Sequence, residues 1–535
     1  MPSLLELVER VNKGELIDSA LLEVYQESSN AAEKFLANHA RAMLDLRRSH
    51  TYLLEALEAI DYADQKVLFQ FLAVLGFLGL SEQRAAPVIK FGAAAISRRE
   101  VSLGLEAIQS GIVQDAQSDN YFTRDRANSQ LVAEQYDRAA QAIGWFPPGP
   151  CDWTNSQLKI GYVTSSLGDD DASARLLVGV SKHIDQKDVK ICVYSTESNV
   201  RREKLAFAQG PFTPASAKRG KETIETLNRR KASVWLAPLD QDVASCAREL
   251  GQQIFKDQID VLIIDASLAD PIASVVANWQ VAKAKLNLVR RSPLLAGAVD
   301  AALYVDSNLK KQDEMLWRKK STDTHFLQEG VDALVGESSG TQRTAYGIPE
   351  QSIILATTPD ADGRFDEQFL DATVQILRQH PQTVLLVAGD ADQQQVRRRL
   401  DSAGLSKRVG FAGKRKDLAD FLRMADIYLA AFPKHNMSGI LAAMSAGRAI
   451  VAVTGESTDP QAGQQVLGEE HVASDIPAYI DRVSRLIRDP AARTQAGEWV
   501  KNRAAAQFSY EHTARALEQI CRNLLATDQP QRAAA

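Results

Sequence analysis

The sequence predicts an α/β protein with two doubly wound halves behind an all-helical segment. Three observations carry this. Residues 1–147 show apolar positions at helical spacing and no strand-like run. From Lys159 onward, short β-branched runs alternate with helical patterns. Most of those runs are continuously apolar rather than alternating, as expected of parallel strands covered on both faces.

In the first segment Leu53, Leu54, Leu57 and Ile60 recur at helical spacing, as do Leu103, Leu105, Ile108 and Ile112. Paired helices of this kind often stack as a solenoid, but no repeat consensus is present. The longest apolar run, Val67 to Leu80, is well short of the ~20 residues that a membrane helix needs. It reads as a buried helix. "WFPPGPCDW", Trp145 to Trp153, places three prolines after the helical pattern, the mark of an interdomain linker.

The first series of strands is expected at 159–163, 190–194, 233–237, 260–265, 285–289 and 301–305. A polar stretch, Gly336 to Glu350, separates it from a second series at 353–357, 383–388, 408–411, 427–431 and 449–453. The expected domains are therefore 1–147, 155–335, 345–508 and a C-terminal helix and tail at 509–535, whose helix has room to return to the first half. Two facing Rossmann-like domains preceded by an all-α N-terminal domain make the GT-B architecture the leading expectation. In such sheets ligands sit beyond the carboxyl ends of the strands.

Composition bounds the function. The chain has 535 residues, 45% hydrophobic and 24% charged, with a formal charge of −6. That is ordinary for a globular protein and argues against a nucleic-acid partner. Four scattered cysteines, Cys151, Cys192, Cys246 and Cys521, suggest neither a disulfide framework nor a metal site. The first residues, "MPSLLELVERVNKGEL", carry acids within their apolar repeat, unlike a secretory signal. A cytoplasmic protein without an integral membrane segment is expected, with homo- and hetero-oligomers both left open.

"FPKHNMSGILAAMSAGRAIVAVTG", Phe432 to Gly455, reads as a turn, a small-residue helix and a buried strand. A helix N-terminus of this kind offers N–H groups and a positive dipole end to a phosphate. Ser438 would add a hydroxyl or simply cap the helix. Gly439 would let a ligand approach the backbone closely. His435 and Asn436 are the candidate polar groups for holding a nucleotide base. Gly455 and Glu456, beyond the next strand, would meet a ribose or cap the following helix. Arg290 and Arg291 follow a strand at its carboxyl end, where they would contact phosphates, an acidic acceptor or the acids of "GDDD" (Gly168 to Asp171).

"LKIGYVTSSLGDDDASARLL", "YGIPEQSIIL", "LRMADIYLAAFPKHNMSG" and "MSAGRAIVAVTGES" together resemble the bacterial O-GlcNAc transferase-like glycosyltransferases over roughly residues 155 to 520. The resemblance implies transfer of a sugar from a nucleotide-sugar, with UDP among the candidate nucleotides, to a protein acceptor held by the helical domain. The sequence itself shows no metal-ligand constellation, so no metal requirement is expected. By position, the family's acceptor-side histidine is matched by Asp170, and its diphosphate-neutralising lysine by Arg364. Its base-proximal histidine-threonine-threonine motif is matched by Met437, Ser438 and Gly439. The segment with a tryptophan and a "Y-P-G-T" turn is matched by "NLVRRSPLLAG", Asn287 to Gly297, which keeps neither. These departures leave two readings open. Asp170 would be a catalytic base and Arg364 the donor cation of a hexosyl- or N-acetylhexosaminyl-transferase. Alternatively, Asp170 lies in a solvated acidic turn and Arg364 in a surface loop. The chain would then be a non-catalytic partner or chaperone that recognises the acceptor.

Overall fold

The computed structural model describes residues 3–12, 15, 17–27, 31–44, 85–115, 121–169, 171–198, 200–201, 220–290, 292–295, 299–320, 322–332, 343–359, 365–389, 391–413, 415, 418–433, 435–454, 466–468 and 471–527. The expected helices around Leu53 to Ile60 and Val67 to Leu80 lie outside the described residues, as do Asp170, Arg291, Arg364, Gly455 and Glu456.

Two parallel sheets follow the helical segment. The first holds β1 (Leu158–Thr164), β2 (Val189–Ser195), β3 (Ser233–Leu236), β4 (Val261–Asp265), β5 (Ala284–Val289), β6 (Ala301–Tyr304) and β7 (Asp323–Phe326) in the order β3-β2-β1-β4-β5-β6-β7. The second holds β8 (Ile353–Thr357), β9 (Thr383–Ala388), β10 (Val409–Gly413), β11 (Ile427–Leu429), β12 (Ala449–Val453) and β13 (Val472–Ala473) in the order β10-β9-β8-β11-β12-β13. Each sheet reverses its order once, between β1 and β4 and between β8 and β11. Those reversals open the crevices in which doubly wound folds bind ligands.

The central strands form where expected because their side chains have no solvated face. All five residues of β4 and of β12 are buried. Two strands are absent from the sequence expectation, β7 and β13. The first is a polar edge strand, "DTHF", and the second is two residues long. Neither carries an apolar run to read.

Among the described residues of the helical segment, two hydrophobic clusters are seen. Leu4, Leu7, Val11, Leu22, Ala37 and Ala40 form a small cluster of their own. Residues from Ile89 to Ile143 instead share one continuous core with the first sheet. There Leu105, Ile108 and Val132 meet Leu250, Ile254, Ile272 and Val276, all fully buried. At ~1.5–3 kcal/mol per buried aliphatic side chain, this contact is a core rather than a docking interface. The proline-rich stretch is likewise pinned down rather than a free linker. Trp145 lies edge-on to Trp279 at 4.8 Å, and Trp153 to Phe255 at 5.5 Å.

The C-terminal helix Tyr510–Thr527 returns to the first half, where Ala514, Leu517 and Cys521 join the core of the helix Ala172–His183 and β1. The chain thus crosses between the halves twice, at 327–332 and 508–510. The Val331 N–H donates to the Phe508 carbonyl at 2.7 Å, and the two crossings form a parallel bridge at Val331 and Ser509.

Candidate functional site

The second crevice is built by the loops after β8 and β11. Asn436 caps the helix Met437–Ser445, its side-chain oxygen accepting from the Gly439 N–H at 3.0 Å. Its amide nitrogen donates to the Pro359 carbonyl, just beyond β8, at 2.7 Å. Asn436 therefore ties the loop after β11 to the loop after β8 at the switch point. The sequence places it as a base-binding group; in the fold its amide oxygen and one of its two amide hydrogens are already engaged. Ser438 is not the cap; it is the second residue of the helix and exposed. Met437 packs at the edge of the hydrophobic cluster around Ile440, Leu441 and Met444. His435 is half-buried, with Nδ1 at 2.8 Å from the Ala431 carbonyl oxygen.

Gly439 is required for a reason other than ligand approach. A Cβ there would overlap the Tyr428 hydroxyl and the Thr358 Oγ1. Those two hydroxyls lie 2.5 Å apart and are buried. Tyr428 fills the space a side chain would take, and burial pushes its phenol well above the ordinary range. The small-residue helix lies close to β8 and β11 because position 439 carries no side chain.

The first crevice repeats the device with other chemistry. Asp270 caps the helix Pro271–Ala277 by accepting from the Ala273 N–H at 3.0 Å. It also accepts from Ser165 beyond β1 at 2.8 Å, Thr196 at 2.5 Å and Ser198 at 2.9 Å. Four donors on two carboxylate oxygens satisfy a residue only 1% exposed. In the "GDDD" turn, Asp169 accepts from the Thr223 N–H at 2.9 Å. Asp171 accepts from the Gly168 N–H at 3.1 Å and from the Ser166 hydroxyl. The flanking aspartates therefore organise the loop rather than form a solvated acidic run.

Arg290 pairs with neither Asp169 nor Asp171. Its Nε donates to Asp265, the last residue of β4, at 3.0 Å, and its Nη1 donates to Glu329 at 2.6 Å. The Tyr162 hydroxyl donates to the same Asp265. Burial works against the Arg290 charge, but the Asp265 and Glu329 carboxylates outweigh it and hold the guanidinium firmly ionised. Burial, reinforced by Asp265, also keeps the Tyr162 phenol protonated. This cluster ties β1, β4 and β5 to the first crossing, while the buried Arg290 Nη2 has no hydrogen-bond partner.

Sequence reasoning missed Pro359, Thr358, Tyr428, Asp265 and Glu329. Only Asp265, closing "DVLIID", carries a signal: an acid ending an apolar strand marks its carboxyl end. Among the described residues no three His, Cys, Asp or Glu side chains are grouped to hold a metal ion. No described helix is long and apolar enough to cross a membrane.

Residues 364–489 match the family described as Glycosyl transferases group 1. No curated protein matches the sequence. A mutant of the O-GlcNAc transferase of Thermobaculum terrenum is similar in structure, with a TM-score of 0.56 at 16% identity over 99% of this chain and 100% of that one. A glycosyltransferase from Rickettsia africae gives 0.52 at 13% identity, over 69% of this chain and 99% of its own. HepE from Anabaena, in complex with UDP and glucose, gives 0.52 at 12% identity, over 69% and 100%. At these identities the likeness establishes the architecture: a GT-B fold behind an all-α N-terminal region.

Proposed function

We propose that the protein is a glycosyltransferase that moves a hexosyl or N-acetylhexosaminyl group from a UDP-linked donor to a protein acceptor. The observation that carries this is the match of residues 364–489 to Glycosyl transferases group 1. That segment contains the Asn436-capped helix at the second switch point. HepE, similar in fold, has been solved with UDP-glucose.

In this reading the Met437 and Ser438 N–H groups and the Ser438 hydroxyl meet the diphosphate, since the cap occupies the Gly439 N–H. Arg364 supplies the cation that offsets charge on the leaving diphosphate. His435, Gly455 and Glu456 face the nucleoside. Asp170, between two aspartates fixed by the loop, is the general base at the acceptor. The helical region holds the acceptor protein, no metal takes part, and the protein works in the cytoplasm. A second reading, a non-catalytic partner that recognises the acceptor, is favoured by the absence of the family's histidines at Asp170 and Met437.

Titration of UDP, GDP and their sugars by calorimetry separates the two. Micromolar UDP binding that Arg364→Ala weakens at least about tenfold, as expected for losing a charge-assisted contact, supports the transferase. Absence of binding to every nucleotide rejects it.

A further inference from the structure

We propose that Asp332 is a positioning residue that fastens together the two helices carrying the candidate site. The helix Ala172–His183 begins directly after the "GDDD" turn. Near its other end, the Lys182 ammonium pairs with the Asp332 carboxylate at 2.6 Å. The helix Met437–Ser445 begins at the Asn436 cap, and its last residue, Ser445, donates to the Asp332 backbone carbonyl at 2.7 Å. The two candidate segments, one in each half, thus sit at the N-termini of helices whose C-terminal ends share one anchor.

The surroundings make that anchor a pivot. On the first-half side, the Leu327 N–H donates to Tyr304 at 2.8 Å, Thr513 to the Gln328 carbonyl at 2.8 Å, and Arg290 to Glu329 at 2.6 Å. Beyond Gly330 the partners change. Val331 packs on the second-half cluster and Asp332 accepts from Ser445. Gly330 lies so close to the other crossing that a Cβ would be 2.5 Å from the Tyr510 nitrogen. The chain passes from one half to the other within two residues, and the Lys182–Asp332 pair spans that change. Helices are stiff, so a displacement at their C-terminal feet is carried to the site-bearing ends. The pair is half-exposed, 33% for Lys182 and 49% for Asp332, so removing it changes global stability little and its effect is read in geometry.

The functional meaning rests on the transferase reading, but the geometry does not, and the test separates them. In full-length protein with Cys151→Ser, spin labels are placed at exposed cysteines introduced by Lys187→Cys and Asp401→Cys, one in each half. Distance distributions are recorded by pulsed EPR with and without UDP. Lys182→Met and Ser445→Ala are each expected to broaden the nucleotide-free distribution by about 1.5-fold, as for a loosened hinge. The swap Lys182→Asp with Asp332→Lys is expected to restore it. If both variants give the parent distribution, the anchor role is overturned. If the variants broaden the distribution but calorimetry on the same proteins detects no nucleotide binding, the anchor stands and the transferase reading fails.

Discussion

Asn436 donates to the Pro359 carbonyl at 2.7 Å across the point where the second sheet reverses its strand order. The same side chain caps the helix that begins there. One amide thus joins the chain beyond β8 to the N-terminus of the helix Met437–Ser445.

Asn436→Ala removes a cap and leaves the Pro359 carbonyl without its donor. A loss of about 1–2 kcal/mol in unfolding free energy is expected, measured by urea titration. Asn436→Asp retains the cap oxygen but lacks the amide donor, so it is expected to lie between. If Asn436→Ala equals the parent, the bridge adds nothing.

Gly439→Ala forces a methyl group against the Tyr428 and Thr358 hydroxyls. Overpacking of this kind costs about 1–3 kcal/mol. Tyr428→Phe in the same chain removes one of the two opposing atoms and is expected to recover part of the loss. The measurement is a double-mutant cycle; strict additivity would show that the two positions do not meet.

Ile108→Ala opens a cavity in the core shared by the helical region and the first sheet, with an expected loss of about 2–5 kcal/mol. Because the core is continuous, helical circular dichroism and the fluorescence of Trp145 and Trp279 should shift together. Loss of helix alone, with the tryptophan fluorescence unchanged, would show that residues 85–143 unfold independently.

Lys285 gives a pH signature. It is fully buried at the start of β5 and donates to the Ala277 and Trp279 carbonyls at 2.9 and 2.6 Å. Burial, partly offset by Asp300, lowers its pKa from 10.5 to about 7. Between those values the unfolded chain binds the extra proton. Stability should therefore rise with pH across that window, by at most about 1.4 kcal/mol per pH unit. Lys285→Met removes the titrating amine and is expected to lack this rise. Parallel slopes for parent and variant between pH 7 and 9 would refute the assignment.

The central strands were legible because residues such as Val261–Asp265 and Ala449–Val453 are apolar without alternation. The Asn436 region was legible as a helix start for the same local reason, a polar side chain before a small-residue run. What Asn436, Gly439 and Arg290 do was not. Their partners Pro359, Tyr428 and Glu329 lie 77, 11 and 39 positions away, and spacing along a strand or helix says nothing about contacts between elements.

The sequence by itself determined the alternation of strands and helices, the two halves and the helical segment before them. These follow from side-chain periodicity and backbone caps, which act within a few residues. The tertiary structure alone decided that the helical region shares the first half's core and that Gly439 serves Tyr428 and Thr358. It also decided that Arg290 belongs to Asp265 and Glu329, and that Asp332 joins the two site helices. Each depends on how elements pack, where close approach and desolvation select one partner among many that local patterning permits.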